Sequence, residues 1–188
     1  MLTQLFITTN STTGSQVEFI NGCKLVGESH HDEFGRDKVK VYHIDNKGKS
    51  IFTNPYRIAT DNENNIYVIN LLDEYLSGRI VALGKTNDVR WIYSGNLDIK
   101  EGQTFKPTNL VTTCLNNIIV TNKDNHMIHI LNTSGQCIHY LNTKDQLGIE
   151  FPYSLDIDNR GTLYIGCNTY QNETEAKIYT VQVWILIY

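Results

Sequence analysis

The chain has 188 residues, a formal net charge of −4, 40% hydrophobic and 19% charged residues, the balance of an ordinary globular chain with room for one domain. Its longest apolar run, Val183 to Tyr188, falls far short of the ~20 residues a transmembrane helix needs. Four cysteines, Cys23, Cys114, Cys137 and Cys167, lie far apart without a Cys-x-x-Cys pair, which argues against a zinc ribbon or a redox dithiol and predicts buried thiols in a reducing compartment.

In chain order, Met1 to Gly14 carries no basic residue before Leu5-Phe6-Ile7, and that run is too short for a signal-peptide core, so a cytoplasmic location is expected. Three glycosylation-type triplets begin at Asn10, Asn132 and Asn172, as a chain rich in Asn and Thr produces by chance. Residues 1–15 and 185–188 are read as irregular or incomplete ends. Gln16 to Gly27 reads as two strands, with Gly22 and Gly27 at the spacing of Gly161 and Gly166. A loop is expected over Glu28 to Asp37. A third strand follows at Val39 to Ile44, then a turn at Asp45-Asn46-Lys47-Gly48, and Ile51-Phe52 starts an outer strand.

Three longer copies of one pattern then follow. Counting from Pro55, Asp61 comes six positions on, Tyr67 six after that, and Val68 directly behind; from Pro152 the same steps reach Asp158, Tyr164 and Ile165. From Pro107 they reach Thr113, Ile119 and Val120, so the middle copy keeps the apolar framework and loses the acid. The copies start roughly 50 and 45 residues apart, near the ~40–50 residues of one propeller blade. Apolar residues hold no helical spacing over ten positions, so essentially no helix is expected.

The fold class predicted is all-β: a partial β-propeller of about three and a half to four blades, covering 16–53, 54–104, 105–150 and 151–184. Each blade has a strand opened by a Pro loop, a Tyr-Val/Ile strand, a strand ending at Asn/Asp-x-x-Gly and an aromatic outer strand. Closed propellers hold roughly four to eight blades, so these blades are read as part of a six-bladed ring. Isolated, they would leave inter-blade faces open, with Val181 to Tyr188 the stickiest strand.

The order Pro-x5-Asp-x5-Tyr-Val followed by Asn/Asp-x-x-Gly is similar to the NHL repeat. Tyr93-Ser94-Gly95, Lys106-Pro107-Thr108-Asn109-Leu110 and Ile118-Ile119-Val120-Thr121-Asn122 resemble the last blades of the NHL propeller of tripartite-motif proteins, and Lys177 to Val181 resembles its closing strand. The likeness runs from about Gly22 to Trp184. It implies a six-bladed propeller behind a RING, B-box and coiled coil, where the RING confers ubiquitin-ligase activity and the propeller recognises protein or RNA. No Cys/His pattern of a RING or B-box and no coiled-coil heptad occurs in this sequence. Where that family usually has Asp at the end of the second strand, this chain has Asn70, Asn122 and Cys167.

Candidate chemistries find little anchorage. Asp156-x-Asp158-x-x-Gly161 begins like a calcium loop but has Arg160 and Cys167 where ligands are required. His126, His129, Cys137 and His139 lack zinc-ligand spacing and read as strand residues. No phosphate loop and no Gly-x-Ser-x-Gly elbow occurs. No catalytic residue, metal or cofactor is therefore assigned.

Strand alternation places the Pro loops beside the second-to-third connections, the face on which family propellers bind partners. Those connections, Glu28–Lys38, Leu71–Gly78, Lys123–His126 and Thr169–Ala176, carry a formal charge of −6, which repels a phosphate backbone. Tyr56 and Tyr153, read as lying on loops after their prolines, Arg57, Asn109, Lys123 and His126 are the candidate partner-binding residues. The expected function is a non-catalytic propeller that binds a protein or peptide as the recognition part of a ubiquitin ligase-like protein, without contact with a membrane or a small-molecule cofactor. An RNA-binding propeller is the first alternative, and a lactonase-like or lyase enzyme, needing acids or histidines in the central channel, the second.

Overall fold

The computed structural model describes residues 6–8, 16–20, 24–31 and 37–42 by their backbone, and residues 50–84, 88–95, 104–168 and 176–183 with their side chains. The described residues form an all-β structure of fifteen strands in four sheets, and no helix among them is long and apolar enough to cross a membrane. It divides into two compact units, Met1–Pro55 and Tyr56–Tyr188.

The first unit holds one antiparallel sheet, in order β1 (Phe6–Thr8), β2 (Gln16–Ile20), β3 (Lys24–His31) and β4 (Asp37–Tyr42). The sequence reading is shifted here by one strand. Phe6–Thr8 pairs with Gln16–Glu18 and takes the place of the first strand, so β2 becomes the second and the run at Val39 falls in the fourth. Ile51 and Phe52 are buried but extend no strand of this sheet. The loop expected over Glu28 to Asp37 is also shorter, because Glu28 to His31 continue β3 through a register shift.

The second unit holds three sheets: β5 (Asn54–Thr60), β6 (Ile66–Leu71), β7 (Gly78–Leu83) and β8 (Val89–Tyr93); then β9 (Pro107–Thr112), β10 (Ile118–Asn122), β11 (Met127–Leu131) and β12 (Cys137–Asn142); then β13 (Pro152–Ile157), β14 (Thr162–Cys167) and β15 (Lys177–Gln182). Each is an up-and-down meander, the form of a propeller blade.

Alternation along a strand sends neighbouring side chains to opposite faces, and the middle blade uses both. Ile118 and Val120 join Tyr67, Ile69, Ile80 and Leu110 in the cluster shared with the blade before. Ile119 between them joins Ile128, Ile130, Leu155, Leu163 and Ile165 in the cluster shared with the blade after. All residues of β10 and β11 are buried, whereas β15 is half-exposed along its length. With each such aliphatic side chain contributing about 1.5–3 kcal/mol on burial, these inter-blade interfaces, rather than any one sheet, hold the unit together.

The repeat recognised in the sequence is a turn device. Between the first two strands of each blade lies a five-residue turn, Asp61–Asn65, Thr113–Asn117 or Asp158–Thr162, with the same two backbone hydrogen bonds and a left-handed fourth residue: Asn64 (φ 60°), Asn116 (φ 63°) and Gly161 (φ 78°). The first residue supplies the acceptor. Asp61 Oδ1 accepts from the N–H groups of Glu63 and Asn65 at 2.9 Å each, and Oδ2 from the Asn65 amide at 2.8 Å and the Tyr67 hydroxyl at 2.7 Å. Asp158 repeats the pattern through Arg160, Thr162 and Tyr164. Thr113 keeps one bond, its Oγ1 accepting from Asn117 N–H at 3.1 Å. The acid and the tyrosine are thus partners, which is why the middle copy replaces both. Burial raises the pKa of Asp61, but the donors from Asn65, Tyr67 and Glu63 outweigh it and hold the carboxyl below its ordinary value.

Three further points depart from the sequence reading. A short helix, α1 (Thr143–Leu147), lies between β12 and β13, capped by the Asn142 side chain on Asp145 N–H and ended by left-handed Gly148 (φ 66°); five residues are too few to show a helical period. One 3₁₀ turn covers Lys123–Asn125. The thiols of the described residues are not buried: Cys114 is exposed, and Cys137 and Cys167 are half-buried; Cys23 lies outside the described residues. Cys114 occupies the second position of its turn, where Asn62 and Asn159 stand in the other blades, so its side chain faces water.

Asp61→Ala should lower unfolding free energy by about 2–4 kcal/mol, because four donors lose their acceptor, one of them the buried Tyr67 hydroxyl. Thr113→Ala should lower it by only about 1 kcal/mol. Denaturant melts of the two variants check the difference.

The turn glycines offer a second comparison. Gly161 (φ 78°) has open space where a Cβ would stand, whereas a Cβ on Gly135 (φ 79°) would meet the Trp91 ring at 2.5 Å. That ring is fixed by its own Nε1–H, which donates to Thr133 O at 2.9 Å. Gly161→Ala should cost about 1 kcal/mol from the left-handed backbone alone, and Gly135→Ala about 1–3 kcal/mol more from the clash, read as the difference in melting midpoints.

A third test concerns His129, which is 2% exposed. It shares a 2.8 Å hydrogen bond between Nδ1 and the Tyr93 hydroxyl, packs edge-on against Phe105, and has a buried Nε2 without a hydrogen-bond partner. Burial depresses its pKa to about 4, so the folded chain prefers the neutral ring. The stabilisation is complete above the unfolded value near 6.5 and is lost as the pH falls from there to about 4, to a total of about 3 kcal/mol. His129→Gln should flatten stability between pH 6.5 and 4 and leave untouched the acid loss below pH 4 that Asp61 causes; thermal melts across the range read both.

Candidate functional site

The prolines that open the repeat begin the first strands, so Tyr56 and Tyr153 lie inside β5 and β13, not on loops as their place after a proline suggested. A strand tolerates proline at its start, where no ladder N–H is required. In the registers, Pro107 stands opposite Asn122, Pro152 opposite Cys167 and Leu71 opposite Gly78. The starts of the first strands and the second-to-third connections therefore share one end of the second unit.

At that end two tyrosines from different blades meet. The hydroxyls of Tyr56 and Tyr153 are 3.4 Å apart, close enough for one to donate to the other. The Arg57 guanidinium lies over the Tyr56 ring at 5.2 Å, and Lys123 Nζ over the Tyr153 ring at 5.7 Å. Each ring thus carries one cation on its face. The bond to Tyr153, with burial, raises the Tyr56 pKa, so this phenol stays protonated around neutral pH. Among the described residues no carboxylate lies within ion-pair distance of Arg57 or Lys123, and Arg57 Nε is buried without a hydrogen-bond partner.

The blade between them has Thr108 where its neighbours have tyrosine. Thr108 Oγ1 donates to Tyr153 O at 2.8 Å and meets Thr121 Oγ1 at 2.8 Å. Thr121 Oγ1 also accepts from Asn109 N–H at 2.9 Å, and the Asn109 side chain accepts from Leu110 N–H. Asn109 is therefore braced by its own strand. At the end of β10, Asn122 Oδ1 accepts from Lys106 N–H at 3.1 Å, so the amide anchors the Pro loop where the resembled family usually has an acid.

His126 holds the next blade in place. Its Nδ1 accepts from Phe151 N–H at 3.0 Å and its ring packs edge-on against Phe151 at 4.4 Å. Both residues are left-handed, at φ 53° and φ 49°, which costs of order 1–3 kcal/mol each for side chains of this kind. Phe151 immediately precedes Pro152 and Tyr153, so this strained contact sets where Tyr153 starts its strand.

The structure brings Tyr56, Arg57, Lys123 and Tyr153 together, and gives Asn109 and His126 positions that support them. Thr108 and Thr121 are supports the sequence reading missed; their only signal was a threonine at the place of a repeated tyrosine. Of the acidic loops counted in the sequence, the Glu28–Lys38 side chains and residues 169–175 lie outside the described residues. In the others, Asp124 pairs with Lys106 at 2.8 Å, and Asp73 accepts from Ser77 N–H and hydroxyl.

Elsewhere the residues considered as metal ligands have other contacts. His129 is in the core, and Asp158 is committed to its turn. Among the described residues no group of three or more His, Cys, Asp or Glu is placed to share a metal ion. A cavity of about 530 Å³ opens at the opposite end of the unit, lined by Asn62, Thr112, Leu115, Ile157, Arg160 and Val183 among others. Several polar groups on its walls are committed to the turns, Asn62 to Asn116 and Cys114 O, and Asp158 to Arg160 and Thr162.

No protein-family model matches this chain, and no curated protein matches its sequence. Solved structures do. The chain is similar to a streptogramin B lyase at 19% identity and TM-score 0.52, over 94% of this chain and 53% of that one. It is similar to hydrazine synthase of Kuenenia stuttgartiensis at 11% identity and TM-score 0.65, over 95% and 48%. It is similar to the gluconolactonase XC5397 of Xanthomonas campestris at 10% identity and TM-score 0.51, over 94% and 55%. These neighbours are propellers, and likeness at such identity shows the β-propeller fold. The chain spans about half the length of the structures it matches.

Proposed function

We propose that this chain is a non-catalytic binding module, a set of propeller blades that holds a protein or peptide at the end marked by Tyr56 and Tyr153. The observation that carries this reading is the tyrosine pair itself: two half-buried aromatic side chains from separate blades, each beside a cation, at the end of the blades where chain connections gather. Tyrosine and arginine are the residues that most often dominate protein interfaces, because they offer large rigid area with a polar tip. His126, whose Nδ1 lone pair is taken by Phe151, has the role of a support rather than of a general base. The resemblance of the repeat to the NHL propeller of tripartite-motif proteins agrees with a recognition role in a cytoplasmic ubiquitin ligase-like protein, any ligase chemistry residing in a RING domain outside this sequence. The fold is shared by lyases and lactonases, and fold alone does not decide function; the tyrosine–cation site is the feature that favours binding.

The test is selection of binding peptides from a random display library on the purified chain. Retained peptides should lose most of their affinity when Tyr56 and Tyr153 are both replaced by Ala, with the melting temperature changed by only a few degrees, and should be indifferent to Leu115→Ala at the opposite end. Equal retention by the double variant would overturn this reading. So would an RNA stem-loop, in filter binding, held more tightly than any selected peptide.

A further inference from the structure

We propose that the group this site recognises is a carboxylate, so that the partner segment is an acidic peptide; the inference rests on the binding role proposed for the same residues. Arg57 and Lys123 stand over the two tyrosine rings with no carboxylate in ion-pair reach among the described residues, and the Arg57 Nε donor is buried without an acceptor. A buried donor on a cation is costly unless an acceptor completes it. The tyrosine pair adds a further donor. Only one of the two hydroxyl protons can lie between the oxygens 3.4 Å apart, so the other is not used by this pair whichever hydroxyl donates. Two cations and one further phenol proton form a donor set suited to a carboxylate.

Chemistry at the same end separates a carboxylate from a phosphate chain. A nucleic acid needs a track of several free cations, but Lys106 is neutralised by Asp124, which leaves two cations, Arg57 and Lys123, over the tyrosine rings. Single-stranded bases also need open aromatic faces for stacking, and here one face of each tyrosine is covered by the chain's own cation. The connections summed in the sequence are acidic; the cations immediately around the tyrosines have the opposite sign.

The random-peptide display selection, sequenced and followed by titration of the retained peptides, tests this with outcomes that separate the two readings. The expected result is enrichment of Asp and Glu, a loss of affinity of about tenfold or more on Arg57→Gln or Lys123→Gln, weakening with added salt, substantial rescue by Arg57→Lys, and no effect of Arg160→Gln at the far end. Melting curves of each variant confirm that the fold persists. Neutral or basic peptides that still depend on Tyr56 and Tyr153 would overturn the carboxylate inference and leave the binding module standing. No peptide distinguishing the chain from its double-tyrosine variant would overturn both. A single-stranded or stem-loop RNA that competes off the peptides and is lost on Arg57→Gln would replace the acidic peptide with nucleic acid.

Discussion

Every blade of the second unit depends on how its first hairpin closes. Five residues turn the chain, the fourth must be left-handed, and the first must offer an acceptor to N–H groups that no strand satisfies. Asp61 does this with four hydrogen bonds and Thr113 with one. Fixing that turn fixes the register of the two strands, and in a period-two strand the register decides which face each side chain meets. A slip of one residue would exchange Ile119 with Ile118 and Val120 and so disturb both inter-blade clusters at once. The turns also reach across blades: Asn62 N–H donates to Asn116 Oδ1 at 3.1 Å, its amide to Cys114 O at 3.0 Å, and Thr112 Oγ1 to Thr60 O at 2.7 Å.

The same stacking places the tyrosines. Because the first strands of neighbouring blades lie side by side, one residue after the opening proline in each blade arrives at a common end, and the side chains there are Tyr56, Thr108 and Tyr153. The small middle residue matters. Thr108 turns its hydroxyl onto Tyr153 O and Thr121, while the phenols of the blades on either side meet each other at 3.4 Å. The backbone is strained nearby, at His126 and Phe151; these are also the residues that fix the start of β13, so the contact that sets the geometry of the site is the one that departs most from ordinary backbone.

Much of this was legible in the sequence, for reasons that can be named. The Asp–Tyr spacing reads out because both partners of one hydrogen bond sit in the repeat. Gly161 takes the left-handed place of that turn at φ 78°, a conformation that glycine adopts without a side-chain penalty. What did not read out had no repeated partner. The three-residue strand Phe6–Thr8 has too few positions to show alternation, and α1 too few to show a helical turn. Tyr56 and Tyr153 were recognised as a pair by their place after proline, yet their hydroxyl contact joins residues 97 apart in sequence; it follows only from packing two blades against a third. The supporting threonines were invisible because a hydroxyl directed into the protein and one directed into water are spelled the same way.

Charge gives the sharpest contrast between counting and placing. Summed along the sequence, the second-to-third connections are acidic, and a count gives every charge equal weight. Interaction between charges falls with distance and with exposure to water and salt, so an exposed loop acid contributes little at a half-buried group some residues away. Asp124 is cancelled by the lysine beside it, and Asp73 is occupied by Ser77. Arg57 and Lys123, by contrast, lie against aromatic faces that exclude water from one side, where a charge acts more strongly. A ligand meeting the tyrosines encounters these two cations first, and the local sign, not the sum, decides what it can bring there.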